Sequence, residues 1–247
     1  MSEVLLELKG VSKSFGGVNA VSNVNLQLRR GEVLGLIGPN GAGKTTVFNM
    51  ISGVQAPSAG SILLCGHEIG GLRPDQVSHK GIARTFQAAS FLPGMSVHEN
   101  VAMAAAFRPS AKRRASDTSA LIAASLKRTG LADVAWQPAE SLNVSQQKRL
   151  EIARAIASEP LILMTDEIVA GLNPTETNAV LAILMELNRG GMTLMFVEHD
   201  VRAVLSVSTR LVVLAQGKLL AEGDPKTVAR SPEVIRVYLG NRYAGNQ

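Results

Sequence analysis

The segment GPNGAGKTT, residues 38–46, carries the residue types needed to grip a chain of phosphates. Closely spaced glycines (Gly38, Gly41, Gly43) let a backbone fold tightly enough for its N–H groups to converge on an anion, and the spacing Gly-x4-Gly-Lys-Thr is that of a P-loop. Asn40, Gly41, Ala42 and Gly43 supply the body of the loop, and Lys44 is long enough to reach the β- and γ-phosphates of a nucleoside triphosphate. The Thr45 hydroxyl suits a Mg²⁺ ligand and Thr46 a phosphate contact. A glycine-rich turn with a chance lysine has a similar composition. Here, however, the pattern follows an apolar run, EVLGLI (32–37), and precedes a helical stretch from about Lys44 to Ser52, as a phosphate cradle requires.

A second group stands far along the chain. LILMTDE (161–167) reads as a buried strand that ends in two carboxylates. Asp166 is placed to hold the metal through water, and Glu167 to polarise an attacking water. Phosphoryl transfer asks for this kind of positioning and charge neutralisation more than for covalent chemistry. The competing reading is a strand that merely ends in solvent.

These groups need a frame. VLLELKGVSKSF and VNLQLRR partly alternate apolar and polar residues, as half-buried strands do, and GSILLCG and GIARTFQ are short strand candidates bounded by glycine. The stretch from about 88 to 158 is rich in Ala, Leu, Lys and Arg at helical spacing. Strand and helix then alternate: LILMTDE, a helix from Pro174 with an Asn173 cap and Glu176 as its capping-box acid, MTLMFVEH, a helix after Asp200, RLVVLAQ and GKLLAEG, with a last short helix from Pro232. Such alternation predicts an α/β fold with a largely parallel sheet covered by helices.

The 247 residues are enough for a substantial core, and an apolar fraction of 46% excludes global disorder. The formal net charge of +5 is spread along the chain instead of gathered in a run, which argues against a nucleic-acid partner. The single cysteine, Cys65, permits no intrachain disulfide and fits a reducing compartment. MSEVLLELKG lacks the form of a signal peptide, and no apolar run approaches the roughly 20 residues of a membrane span, so a membrane role is expected to come through a partner.

With these motifs in place, the chain resembles the ATP-binding subunit of ABC transporters over nearly its whole length. The resemblance implies a P-loop NTPase of ABC type: a mostly parallel core sheet, an antiparallel β subdomain and a helical insertion. It implies one ABC domain spanning 1–247, with core 1–87 and 159–247 and a helical subdomain at about 88–158. It also implies roles that spacing leaves open. Phe15, in SKSFGG, matches the aromatic that stacks on adenine, although a core phenylalanine would look the same. Gln87, closing RTFQ, matches the glutamine that senses Mg²⁺ and the γ-phosphate. AGLNP (170–174) matches the loop that crosses the dimer interface, and His199, in VEHD, the switch histidine at the γ-phosphate. His67, His79 and His98 have no such context and no metal-ligand spacing.

A narrower likeness, carried by GIARTFQ, SVHENV, KRLEIARAIA, AGLNP, VEHDV and VYLG, is to the ATPases of branched-chain amino acid importers. A lipopolysaccharide-export ATPase is similar in several of these stretches. The resemblance implies two ATP-binding subunits, identical or paralogous, closing on two Mg-ATP. They would drive transmembrane permease subunits from the cytoplasmic face of the inner membrane and serve an external solute-binding protein indirectly. The groove for the permease helix is expected near Ala88–Asn100, and the basic run Lys112-Arg113-Arg114 is expected as a solvated loop.

Three departures from the family pattern stand out. Where the family has Leu-Ser-Gly-Gly-Gln, this chain has Leu142-Asn143-Val144-Ser145-Gln146. The Asn143 amide, the backbone amides of Val144, Ser145 and Gln146 and the helix end can still meet a phosphate of the partner's nucleotide, but Asn143 with Gln146 is also an ordinary helix cap. Ile168 stands where proline is usual and Thr165 where an apolar residue is usual, which predicts a looser loop behind Glu167. The leading reading is a transport-coupled Mg-ATPase. Its rival is an ATP-responsive dimer that regulates a complex with little turnover.

Overall fold

The computed structural model describes residues 3–85, 91–108 and 115–239, apart from the side chains of 115–117 and 239. Gln87 and the run 112–114 therefore lie outside the described residues, as does the start of the expected permease groove.

Three strands are buried along their whole length: β3 (Val33–Ile37), β7 (Ile162–Asp166) and β8 (Thr193–Val197). Their near-continuous apolar runs are what a parallel sheet covered on both faces demands. They sit centrally in a six-stranded sheet together with β6 (Ile82–Arg84), β9 (Arg210–Ala215) and β10 (Lys218–Gly223), in the order β10-β9-β3-β8-β7-β6. All pairs are parallel except β9 with β10. A second, antiparallel sheet has the order β2-β1-β4-β5, from β1 (Val4–Phe15), β2 (Val18–Arg29), β4 (Ala59–Leu64) and β5 (His67–Glu68).

Between the two sheets lies one core, which encloses helix α1 (Lys44–Ile51) through Val47, Phe48, Met50 and Ile51. The other face of the parallel sheet is covered by α5 (Val144–Ala157), α6 (Pro174–Arg189) and α7 (Val201–Val207), around Ile152, Leu184 and Val204. The helices α3 (Val97–Ala106) and α4 (Ala115–Arg128) pack with α5 around a third core that includes Val101, Leu126 and Leu150.

Sequence patterning foresaw the parallel sheet and strands in the first third of the chain, whose antiparallel arrangement the resemblance implied. It missed two short helices, α2 (Pro74–Lys80) and α8 (Pro225–Ala229). Each has proline at its start, and their few residues carry too little periodicity to register. The described residues end in α9 (Pro232–Leu239). Among the described residues no helix is long and apolar enough to cross a membrane.

Candidate functional site

The strand order decides where the chemistry gathers. Strand β8 separates β3 from β7, and Val197 is in register with Leu36 on one side and Asp166 on the other. The P-loop after β3, the carboxylates after β7 and His199 after β8 therefore meet at one carboxyl edge of the sheet, the usual place for a ligand in such folds.

Helix α1 begins without a side-chain cap. Its N-cap is Gly43, in the left-handed region at φ 99, where a Cβ would stand 2.7 Å from Ala20 O. Only glycine fits that backbone without strain. The first helical bond runs from Val47 N–H to Gly43 O (2.9 Å), so the amides of Lys44, Thr45 and Thr46 precede the ladder and are available to an anion. Asn40, Gly41 and Thr45 are exposed, Gly43 and Thr46 half-buried and Ala42 buried. The Lys44 ammonium is buried and donates to Gly38 O (2.5 Å) and Pro39 O (3.1 Å). Burial lowers its pKa, while Glu167 and Asp166 act the other way.

Asp166 is 2% exposed. Its Oδ2 accepts from Arg84 Nη2 at 2.9 Å, and Arg84 in turn donates to Asn49 Oδ1 (2.7 Å) on α1 and to Oγ of Ser52, its C-cap (3.0 Å). The sequence reading missed Arg84, although it is three residues from Gln87 in a stretch already singled out. Glu167 has a left-handed backbone, φ 52, and its Oε1 accepts from His199 Nε2 at 2.6 Å. A non-glycine residue there costs on the order of 1 kcal/mol and persists only where its surroundings hold it. Phe15 is 45% exposed at the end of β1 beside the Lys13 ammonium, 5.1 Å from the ring centroid, and is not a core residue.

The expected looseness behind Glu167 is not found. Ile168 is fully buried in the core, and the next amide, Val169 N–H, donates to Glu198 Oε1 at 2.9 Å. Glu198 was not foreseen: a glutamate after an apolar strand looks like one more solvated strand end, yet it is 3% exposed. Burial raises its pKa to about 7.

The signature segment stands apart on α5. Gln146 N–H donates to Asn143 Oδ1 (2.8 Å) and Asn143 N–H to Gln146 Oε1 (3.0 Å), a closed capping box. Val144 is 53% exposed, whereas Ser145 is buried, on the inward stripe it shares with Lys148 and Ile152. The helical period thus turns the Ser145 side chain inward, and the cap occupies the Gln146 amide. Among the described residues no hydrogen bond joins this cap to the P-loop group.

The donor set fits a magnesium nucleotide. A hydroxyl on an uncapped helix end and a buried strand-end carboxylate are hard oxygen ligands, and the free amides of α1 suit phosphate. Cradle and carboxylates on a single sheet edge place the molecule among the P-loop NTPases, and the helical insert between them narrows this to the ABC type. The family model described as ABC transporter matches residues 21–170, and one described as branched-chain amino acid ATP-binding cassette transporter matches residues 218–244. The chain is 42% identical to the high-affinity branched-chain amino acid transport ATP-binding protein LivG of Escherichia coli K12, covering 97% of this chain and 99% of that one. It is 40% identical to BraF of Pseudomonas aeruginosa over the same shares. The solved ADP conformation of an ABC transporter cassette superposes with a TM-score of 0.87 at 28% identity, covering 97% of this chain and 100% of the other. The chain belongs to the ABC transporter family, as an ATP-hydrolysing subunit of the branched-chain amino acid transport group.

Proposed function

We propose that the chain hydrolyses Mg-ATP to power uptake of branched-chain or related amino acids, paired with a second ATP-binding subunit beneath transmembrane permease subunits. The cargo rests on the names of LivG and BraF and on the match at 218–244. The observation that carries the hydrolytic reading is the contact between Glu167 and His199, on the sheet edge that also bears Lys44 and Asp166.

In this reading Lys44 and the α1 amides bind the phosphates, and Phe15 stacks on the adenine. Thr45, Asp166 and Gln87 would hold Mg²⁺, which supplies neutralisation of phosphate charge. Glu167 takes a proton from the attacking water, while the His199 Nε2 proton holds its Oε1 in place. Asn143 offers its side-chain Nδ2 across a dimer, because the cap engages only its Oδ1 and backbone amide. Ser145 contributes at most through its backbone. For the permease the groove expected near Ala88–Asn100 stays as proposed, and we add a cleft of about 310 Å³ lined by Asp75, His79, Arg84, Phe107, Glu151 and Arg154, between α2, β6 and the ends of α3 and α5.

The test is ATP turnover with and without Mg²⁺, beside Glu167→Gln, with light scattering in ATP. Loss of roughly 100-fold or more in turnover, with an ATP-held dimer, is expected of the variant. Turnover that survives in Glu167→Gln would defeat the reading.

A further inference from the structure

We propose that Glu198 is a positioning residue: it clamps the loop carrying Glu167 to the strand end carrying His199, so that the two reactive side chains are held as one unit. The inference rests on the assignment of Glu167 and His199 to hydrolysis.

Two segments are tied at several points. Glu167 N–H donates to Val197 O at 3.0 Å, and Glu167 Oε1 meets His199 Nε2 at 2.6 Å. Glu198, between Val197 and His199, accepts Val169 N–H at 2.9 Å. The links form a ring around Ile168, which is fully buried. Inside this ring Glu167 keeps its left-handed backbone, φ 52. A stiff residue at 168 would restrict that loop directly; here a buried side chain and a carboxyl acceptor do so instead.

The charges around Glu198 support the same role. Glu167 repels it, while Lys148 on α5, itself buried, attracts it. A carboxyl group kept in a dry site with an adverse neighbour needs a hydrogen bond, and the Val169 amide provides one. Among the described residues no hydrogen bond or ion pair joins the Glu198 carboxyl to the P-loop or to Asp166, so its effect passes through Glu167 and His199.

The experiment compares Glu198→Met, which keeps volume and removes the acceptor, with Glu198→Gln, which keeps an acceptor oxygen. Hydrogen–deuterium exchange at residues 167–170 reads the clamp, and steady-state ATP kinetics read its consequence. In Glu198→Met the Val169 amide is expected to exchange about tenfold faster or more, and kcat to fall roughly 10- to 100-fold with KM for ATP nearly unchanged. Glu198→Gln is expected to restore slow exchange and most of kcat. Should Glu198→Met give no folded protein, Glu198→Ser, too short to reach Val169, takes its place with the same expectation. Unchanged exchange at Val169 without the acceptor, or a Glu198→Gln variant as impaired as Glu198→Met, overturns the proposal. A wild-type chain with no turnover, alone and with a paralogous ATP-binding subunit, would sink the hydrolytic assignment and leave the exchange comparison to decide the clamp.

Discussion

Two helices of this molecule point their amino ends at phosphate in the proposed assembly, and they are built in opposite ways. Helix α1 starts at Gly43, with no side chain to cap it, and leaves the first amides to a ligand. Helix α5 starts at Asn143, whose side chain and that of Gln146 close a capping box on the helix's own amides. A cap stabilises a helix by about 1 kcal/mol by satisfying the donors that an anion would otherwise use. The contrast shows a division of labour: α1 binds by backbone with no cap, whereas α5 commits the Asn143 and Gln146 backbone amides to its own cap and offers the Asn143 side-chain amide with the backbone amides of Val144 and Ser145.

The strongest way to break this contrast is to remove the side chain that completes the α1 site. Lys44→Ala is expected to weaken ATP binding by about 3 kcal/mol, or roughly 100-fold, measured with a fluorescent nucleotide on the monomer. An effect below about threefold would mean that the cradle's backbone holds the nucleotide unaided.

At α5 the decisive change is Asn143→Asp. It keeps an acceptor for the Gln146 amide, so thermal stability is expected to hold, but it replaces the outward donor with an anion. If that amide meets the partner's phosphate, the ATP-held dimer of the Glu167→Gln background is weakened by about 2 kcal/mol, or some 30-fold, by light scattering. An unchanged dimer would leave Asn143 a cap and nothing more.

The smallest effect concerns the charges buried under α5. Glu151 is 6% exposed, and burial raises its pKa from 4.5 to about 7 against the pull of Lys148 and Arg154. The folded state then holds a proton that the unfolded chain has released, so the contribution is present at low pH and lost as pH rises through about 7. Between pH 6 and 8 wild-type stability should fall by roughly 1.4 kcal/mol more than that of Glu151→Gln, read by denaturant unfolding. Parallel curves for the two proteins would place Glu151 in a wetter setting than its burial implies.

Much of this site was legible before any coordinates. GPNGAGKTT and the strand-end pair Asp166-Glu167 announce themselves because each function depends on neighbours in sequence: amides around one anion, or two carboxylates at the end of one apolar run. The Asn143-Gln146 cap was legible for the same reason, as a contact three residues long. That the Ser145 side chain is buried, leaving only its backbone amide for a trans contact, was not legible, because the signature pattern weighs residue identity while the helical period decides which way a side chain turns.

The chain's order alone therefore determined the P-loop, the carboxylates, the buried strands and the cap, since these are local consequences of glycine freedom, apolar runs and helix periodicity. Only the tertiary structure decided that Arg84 would bind Asp166, 82 residues away, and that Glu167 would meet His199, 32 residues away. It also decided that Glu198, written like a solvated strand end, would be buried against Val169. The reason is the strand order: placing β8 between β3 and β7 sets three distant strand ends side by side. Contacts made across a sheet depend on which strands pair, a choice that no short stretch of sequence records.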